Sequence, residues 1–331
     1  MLAGDLLLLT RDYLPEPQLF AVSRESGKLA WKVALPAAKA PGANTGHSTP
    51  AVWRDQVLLH RPGELASYSL KDGARRWWVT MTTSGTSTPV VTPEAVYVTA
   101  FSIVAEPEGI PRYAPYSELL EKYDRNHDAR LSRDELPDND VFLVRRVGVP
   151  DDVPGAHFTL KLFFQFIDTN KDGFVDEQEW NIVPAIAKRL QTNDHGLTAI
   201  RPGGEGDMAG SAVLWREQRS VPEVPSPLSY RGRVYMVANG GVVSCVEGKT
   251  GRMIFRGRIG APGAYYASPV AAAGKVFLAS SEGIVTVLEE ADTVKVISNN
   301  DLGEPIFGTP ALVGSAVYIR SLNNLWAFES R

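Results

Sequence analysis

A small residue followed by proline returns five times along this 331-residue chain, at Thr49-Pro50, Thr88-Pro89, Ser226-Pro227, Ser268-Pro269 and Thr309-Pro310. The prolines lie 39, 42 and 41 residues apart, and one gap of 138 breaks the period. Each phrase continues in one order. A strand of alternating apolar residues follows the proline, at Gln56 to His60, Ala95 to Thr99, Arg233 to Val237, Lys275 to Ala279 and Ala316 to Arg320. Another strand comes next, at Glu64 to Leu70, Leu197 to Arg201, Gly241 to Val246, Gly283 to Leu288 and Leu322 to Phe328. A glycine turn then leads to a strand with an aromatic four residues on, as in Gly27 to Trp31, Gly73 to Trp77 and Gly251 to Phe255, with Trp215 in the equivalent place of the interrupted unit.

Four short strands every 40 residues or so read as the blades of a β-propeller, where each small sheet buries its faces against the next. The period-two pattern excludes a solenoid of helix pairs, and a β-sandwich has no need of a phrase at fixed spacing. The fold expected is an all-β propeller of about six units. Residues 1–104 and 196–331 form it, and residues 105–195 are an insertion in the turn between two adjacent strands of the third unit. The first unit, from Asp5, shows no opening strand and the last, to Phe328, no fourth. We therefore expect sequence upstream of Met1 to be missing, with an irregular six-unit ring as the alternative.

The insertion carries two twelve-residue loops, Asp124 to Glu135 and Asp168 to Glu179. In the second, Asp168, Asn170, Asp172, Asp176 and Glu179 stand at positions 1, 3, 5, 9 and 12, Gly173 at 6, and Phe174 at 7, where the backbone carbonyl is the ligand. This is the EF-hand pattern: a hard cation wants six to eight oxygens at about 2.3 to 2.6 Å, supplied by alternate residues of a tight loop. The first loop offers Asp124, Asn126, Asp128, Ser132 and Glu135, with Arg130 at the carbonyl position. It has Ala129 where the backbone needs a positive φ, at a cost of roughly 1 kcal/mol. With three carboxylates against four, it is expected to be the weaker of two calcium sites. An Asx-rich turn without an ion is the alternative.

Leu131 and Val175, at position 8 of each loop, should pair as a two-residue β-contact. Phe158, Leu162 and Phe166, beside Phe163 and Ile167, suggest the apolar stripe of the helix entering loop two; Trp180, Val183, Ala187 and Leu190 suggest that of the helix leaving it. Pro184 should kink that last helix, and Pro137 should cut short the one after loop one. Both argue against a wide calcium-driven opening.

Composition narrows the partners. A net charge of −4 and a pI near 5.8 give no basic surface for nucleic acid. The longest early apolar run, Leu6 to Leu9, is far below the roughly 20 residues of a membrane span, and no basic stretch precedes it as in a signal peptide. The single cysteine, Cys245, excludes an internal disulfide and reads as a buried strand residue. Five histidines, at 47, 60, 127, 157 and 195, lack ligand spacing. His47 reads as a turn residue entering an inner strand, and the glycine-rich run Gly203 to Gly206 as a strand connection without the lysine of a phosphate loop.

The phrase of small-Pro, paired apolar strands and Gly-x-x-x-Trp resembles the blade of the pyrroloquinoline quinone (PQQ)-like propellers, which include quinoprotein dehydrogenases and the propeller lipoprotein of the outer-membrane assembly machine. The resemblance covers roughly 1–104 and 196–331, and Leu197 to Gly204 with Ser226-Pro227-Leu228 looks closest to secreted bacterial members. It implies an extracytoplasmic location. A quinoprotein dehydrogenase of this group would need a PQQ funnel and, in many members, adjacent cysteines; the cysteine pair is absent, so PQQ is not expected. The function expected is a non-catalytic, monomeric platform that binds a protein or carbohydrate-like ligand on one propeller face, with calcium stabilising the insertion. The alternatives are a PQQ-dependent enzyme and a calcium-responsive switch.

Overall fold

Strands are favoured here by short runs of valine, isoleucine, leucine and aromatics, punctuated by glycines at positive φ in the turns, such as Gly73 at +76° and Gly251 at +74°. The computed structural model describes residues 1–13, 16–37, 46–101, 113–145, 157–190 and 194–329. Two compact units separate, Met1–Ser102 with Asp194–Arg331, and Ile103–Asn193. The boundary expected at 104/105 lies outside the described residues.

The first unit is a series of sheets whose strands, one parallel addition to the second sheet apart, are antiparallel and follow chain order. The first blade is Leu2–Ala3, Leu6–Arg11, Gln18–Ser23 and Leu29–Ala34. The second is Ala51–Trp53, Gln56–Arg61, Glu64–Ser69 and Arg75–Thr80, and the third Val90–Val91, Val96–Ala100, Gly196–Ile200 and Val213–Glu217. The fourth is Leu228–Tyr230, Arg233–Ala238, Val242–Glu247 and Met253–Arg258; the fifth is Val270–Ala272, Lys275–Ala279, Ile284–Glu289 and Val296–Asp301. Among the described residues the last has three strands, Ala311–Val313, Ala316–Arg320 and Leu325–Glu329.

Two departures from expectation concern strand bookkeeping. The first blade does have an opening strand: Leu2 and Ala3 pair with Leu7 and Leu6, and Leu8 and Met1 exchange backbone hydrogen bonds. It is only two residues long and lacks the proline phrase, so no sequence signal marks it. The glycine-rich connection of the third blade also does more than connect. Gly206 and Asp207 pair in parallel with Trp77 and Trp78, adding a fifth strand to the second blade. Where the insertion begins and ends, Val96–Ala100 and Gly196–Ile200 pair without interruption from Val96↔Ile200 to Ala100↔Gly196. That ladder pairs Ala100 with Gly196, the last strand residue before the insertion and the first after it.

The small residue before each proline has a structural role. Its N–H is donated to the hydroxyl of the same residue in the next blade: Thr49 to Thr88 at 3.3 Å, Thr88 to Ser226 at 2.9 Å, Ser226 to Ser268 and Ser268 to Thr309 at 3.0 Å each. The pre-proline residue is held extended, which aims its N–H out of its own sheet. A serine or threonine answers it, and alanine could not.

The aromatic of the fourth strand faces the following blade. Trp31 donates its indole N–H to the Leu70 carbonyl at 3.0 Å, and Trp215 does the same to Gly248 at 3.0 Å. Each ring lies over the turn glycine of that blade, so that a Cβ on Gly73 or Gly251 would come within 2.7 or 2.5 Å of it. Trp77, wholly buried, bonds Gln56 within its own blade at 2.8 Å. Cys245 is fully buried, as expected of a core strand.

A buried polar cluster ties the first blade to the second. The Arg61 guanidinium grips Asp12 with both nitrogens, Nη2 at 2.7 Å and Nε at 3.1 Å, and donates Nη1 to the Pro36 carbonyl at 2.7 Å. Beside it, His60 is enclosed. Its Nδ1 lies 2.8 Å from the Ser87 carbonyl, which can only accept, and Nε2 lies 2.8 Å from the Thr83 hydroxyl. The proton is thereby assigned to Nδ1.

Two predictions follow from these contacts. Gly73→Ala should cost more than the roughly 1 kcal/mol of its positive φ alone, because the methyl meets the Trp31 ring; urea unfolding against Gly27→Ala, whose Cβ would meet nothing within 4 Å, measures the excess. Burial pushes His60 down from the ordinary 6.5 to about 4, against the raising influence of the Ser87 carbonyl. In that window the unfolded chain takes up a proton that the folded chain refuses, so stability falls as pH drops from about 6.5 to about 4. His60→Gln should flatten that part of the pH dependence, read from unfolding at pH 7 and 4.5.

Candidate metal centre

The second unit holds the helices α1 (Tyr116–Tyr123), α2 (Leu160–Ile167) and α3 (Glu177–Leu190). Thr159 caps α2, its hydroxyl accepting from the Leu162 N–H at 3.2 Å. The expected stripe holds at Ile167, with Phe158 and Phe163 packed against the core, and is corrected at Leu162 and Phe166. Leu160, Phe164 and Ile167 are buried, whereas Leu162 is 58% and Phe166 67% exposed. Phe158 precedes the helix, on a short strand, His157–Thr159, paired with Phe142–Arg145. After loop one, residues 133–135 form a turn and, among the described residues up to 145, no helix follows, although a shortened one was expected. Pro184 lies within α3; the side chains of Ala187 and Leu190 fall outside the description.

Leu131 pairs with Val175 and Ser132 with Phe174, joining the two loops as expected. Tyr116 braces this ladder, its hydroxyl donating to the Val175 carbonyl at 2.6 Å. Leu131, Val175, Phe164, Ile167 and Trp180 share one core with α1. The loop side chains therefore hang from a buried apolar base.

In loop two, Asp168 accepts from the N–H groups of Asp172 and Gly173, both at 3.1 Å. Asn170 accepts from Asp172 at 2.8 Å and Asp172 from Phe174 at 2.9 Å. Glu179 reaches back across the loop: Oε1 accepts from Thr169 at 2.8 Å and Asn170 at 3.2 Å, and Oε2 from Asp176 at 3.3 Å. Asp176 in turn accepts from the Glu179 N–H at 2.8 Å, capping α3. Gly173 has φ of +87° and nothing near where a Cβ would be. Asp168 and Glu179, the first and last residues of the pattern, are both buried.

Loop one repeats the scheme in a more open form. Asp124 accepts from Asp128 at 3.3 Å and Ala129 at 3.0 Å, Asn126 from Asp128 at 3.0 Å, and Asp128 from Arg130 at 2.9 Å. Glu135 accepts from Arg125 at 3.1 Å and from the Ser132 N–H and hydroxyl at 2.8 and 2.7 Å. Its partial burial acts to raise the carboxyl, but these hydrogen bonds outweigh it and hold Glu135 below the usual range. Ala129 adopts φ of +61°, the strained conformation expected there.

One residue acts in a way the pattern does not announce. The Arg130 side chain crosses between the loops, with Nη1 3.7 Å from Asp172, Nη2 4.0 Å from Asp128 and the guanidinium 3.9 Å over the Phe174 ring. Among the described residues, no three His, Cys, Asp or Glu side chains are gathered as a metal cluster. The oxygens are hooked instead to their own loop backbone. As a donor set they are carboxylates, carboxamides, a hydroxyl and carbonyls, which suits a hard cation and no soft one.

Repeated antiparallel sheets and an EF-hand loop define the class: a propeller-like all-β protein with an EF-hand motif. A family model described as outer membrane protein assembly factor BamB matches residues 3–111 and 206–321, and an EF-hand model matches 160–183. The chain belongs to that BamB-like PQQ-repeat family. No curated protein matches it. Among solved structures it is similar to the quinohemoprotein alcohol dehydrogenase of Comamonas testosteroni (11% identity, TM-score 0.53), covering 98% of this chain and 51% of that one. It is also similar to a computationally designed protein, Ika8 (8% identity, TM-score 0.54), covering 100% and 70%. At these identities the likeness is one of fold. The chain spans about half the length of the dehydrogenase.

Arg130 places a fixed positive charge against two acidic loop residues. Arg130→Gln should therefore tighten divalent-cation binding by about two- to fivefold at low salt, with a smaller gain at 0.5 M salt. Calorimetric titration at the two ionic strengths checks it.

Proposed function

We propose that this chain is a non-catalytic, calcium-binding propeller-type platform of the bacterial cell envelope, which engages a protein or carbohydrate-like ligand on a propeller face while calcium stabilises the inserted module. Residues 1–104 and 196–331 are the platform and 105–195 the module. The observation that carries the calcium reading is loop two: buried Asp168 and Glu179 close a loop whose sixth residue, Gly173, has the positive φ the pattern needs. Asp168, Asn170, Asp172, Asp176, Glu179 and the Phe174 carbonyl would hold the stronger ion. Asp124, Asn126, Asp128, Ser132, Glu135 and the Arg130 carbonyl would hold the weaker. The ion would supply charge neutralisation where the loop crowds its carboxylates, replacing hydrogen bonds that now tie them to the backbone.

The BamB description of the matching family supports a binding role over a catalytic one, and with it an envelope location. Among the described residues no helix is long and apolar enough to cross a membrane. Even sites of roughly 10⁻⁴ to 10⁻³ M would fill where calcium is near millimolar, which favours structural use. The exposed Leu162 and Phe166 support a second reading, in which the module shows an apolar surface to a partner.

Calorimetry on chelator-stripped full chain should find two sites, with Glu179→Gln abolishing the tighter and Glu135→Gln the weaker. Ala129→Gly should tighten the weaker by about fivefold, the equivalent of roughly 1 kcal/mol. Undiminished tight binding in Glu179→Gln would refute the assignment. A large calcium-dependent rise in hydrophobic-dye fluorescence, lost in Leu162→Ser with Phe166→Ser, would select the second reading.

A further inference from the structure

At every interface between consecutive blades up to the fifth, one register position is filled by an aromatic ring. Trp31 pairs with Ala21 and belongs to the core between the first and second blades; Trp77 pairs with Ser67 and belongs to the next. Trp215, opposite Ala199, and Phe255, opposite Cys245, fill the same position in the third and fourth blades. In the fifth blade the residue at that position is Ser298, opposite Val287. The sequence loses its Gly-x-x-x-aromatic phrase there, and the core facing the last blade contains no ring from that strand.

A space lies along the same row, at its Phe277 and Val287 end. A groove of about 240 Å³ lies between the fifth and last blades, lined among others by Phe277, Val287, Asn300, Val317, Ile319 and Phe328. Phe277 and Val287 belong to the same cross-strand row as Ser298. Phe328 is 45% exposed at its edge. An apolar cavity of about 150 Å³ takes benzene, so this one is large enough for a fused two-ring system. No charged side chain lines it, which disfavours anions and cations. The one polar side chain, Asn300, has its Nδ2 committed to the Val285 carbonyl at 3.1 Å and the Ser298 hydroxyl at 3.0 Å. Its carboxamide oxygen is the acceptor left for a ring N–H.

We infer that this groove is a binding site for a small neutral aromatic molecule carrying a ring N–H, which takes the place of the blade's missing aromatic. The occupant is argued from continuity with the four sister interfaces, each of which closes on a ring in that row. Burying the ring against Phe277, Val317 and Ile319 supplies the affinity, and Asn300 orients it.

Indole is the probe, titrated into the full chain and followed by saturation-transfer NMR and thermal melting. The wild type should bind indole and melt higher with increasing indole, and benzoate should bind at least about tenfold more weakly. Ser298→Trp, filling the groove from within, should melt higher than wild type and lose indole affinity by at least about tenfold. Should that variant fail to fold, Val287→Phe fills the same row from the neighbouring strand and should show the same loss. Indole binding that is absent in the wild type, or equal in the wild type and a filled variant, overturns the proposal. Equal binding of benzoate overturns the neutral-ligand assignment.

Discussion

The repeat depends on a hydrogen bond that passes from blade to blade through Thr49, Thr88, Ser226, Ser268 and Thr309. Proline has no N–H, and it holds the residue before it extended. That residue lies outside its own sheet ladder, so its N–H needs a partner beyond the blade or water. The hydroxyl of the next blade takes it. One short phrase thus ends a connection, starts a strand and spaces the neighbouring sheet, which is why it recurs where most of the blade sequence varies.

The second constraint is steric. Fourth-strand aromatics wedge against the following blade, over turn glycines that can have neither a side chain nor an ordinary φ. Gly73 beneath Trp31 and Gly251 beneath Trp215 show the pair of demands at one residue. At Ser298 the fifth blade has no such ring. The insertion disturbs none of this, because the ladder from Val96↔Ile200 to Ala100↔Gly196 closes before the chain departs.

Most of this was legible in the chain. The period of the small-Pro phrase, the alternating strands and the twelve-residue loops are local patterns, and local patterns survive without tertiary information. The β-contact of Leu131 with Val175 and the strain at Ala129 were readable because loop geometry dictates them. The opening strand at Leu2 was not, since two residues carry no periodicity. Of the expected α2 stripe, Ile167 is buried and Phe158 and Phe163 pack against the core, but Leu162 and Phe166 are exposed. Seven apolar side chains crowd positions 158 to 167, so composition allows more than one face, and the Thr159 cap decides which is buried. The bridging role of Arg130 was also invisible: the pattern uses only its carbonyl, and its side chain finds Asp172 because two loops meet.

By itself the sequence determined the repeat unit and the oxygen set of both loops, because each depends on residues close together in the chain. Tertiary structure alone decided which groups meet across blades. Neither the Thr88 to Ser226 bond, spanning 138 residues, nor the parallel pairing of Gly206 with Trp77, nor the groove beside Ser298 is encoded in any single stretch. Each arises where two separately specified surfaces are brought together, and the packing of one sheet on another is what fixes that distance.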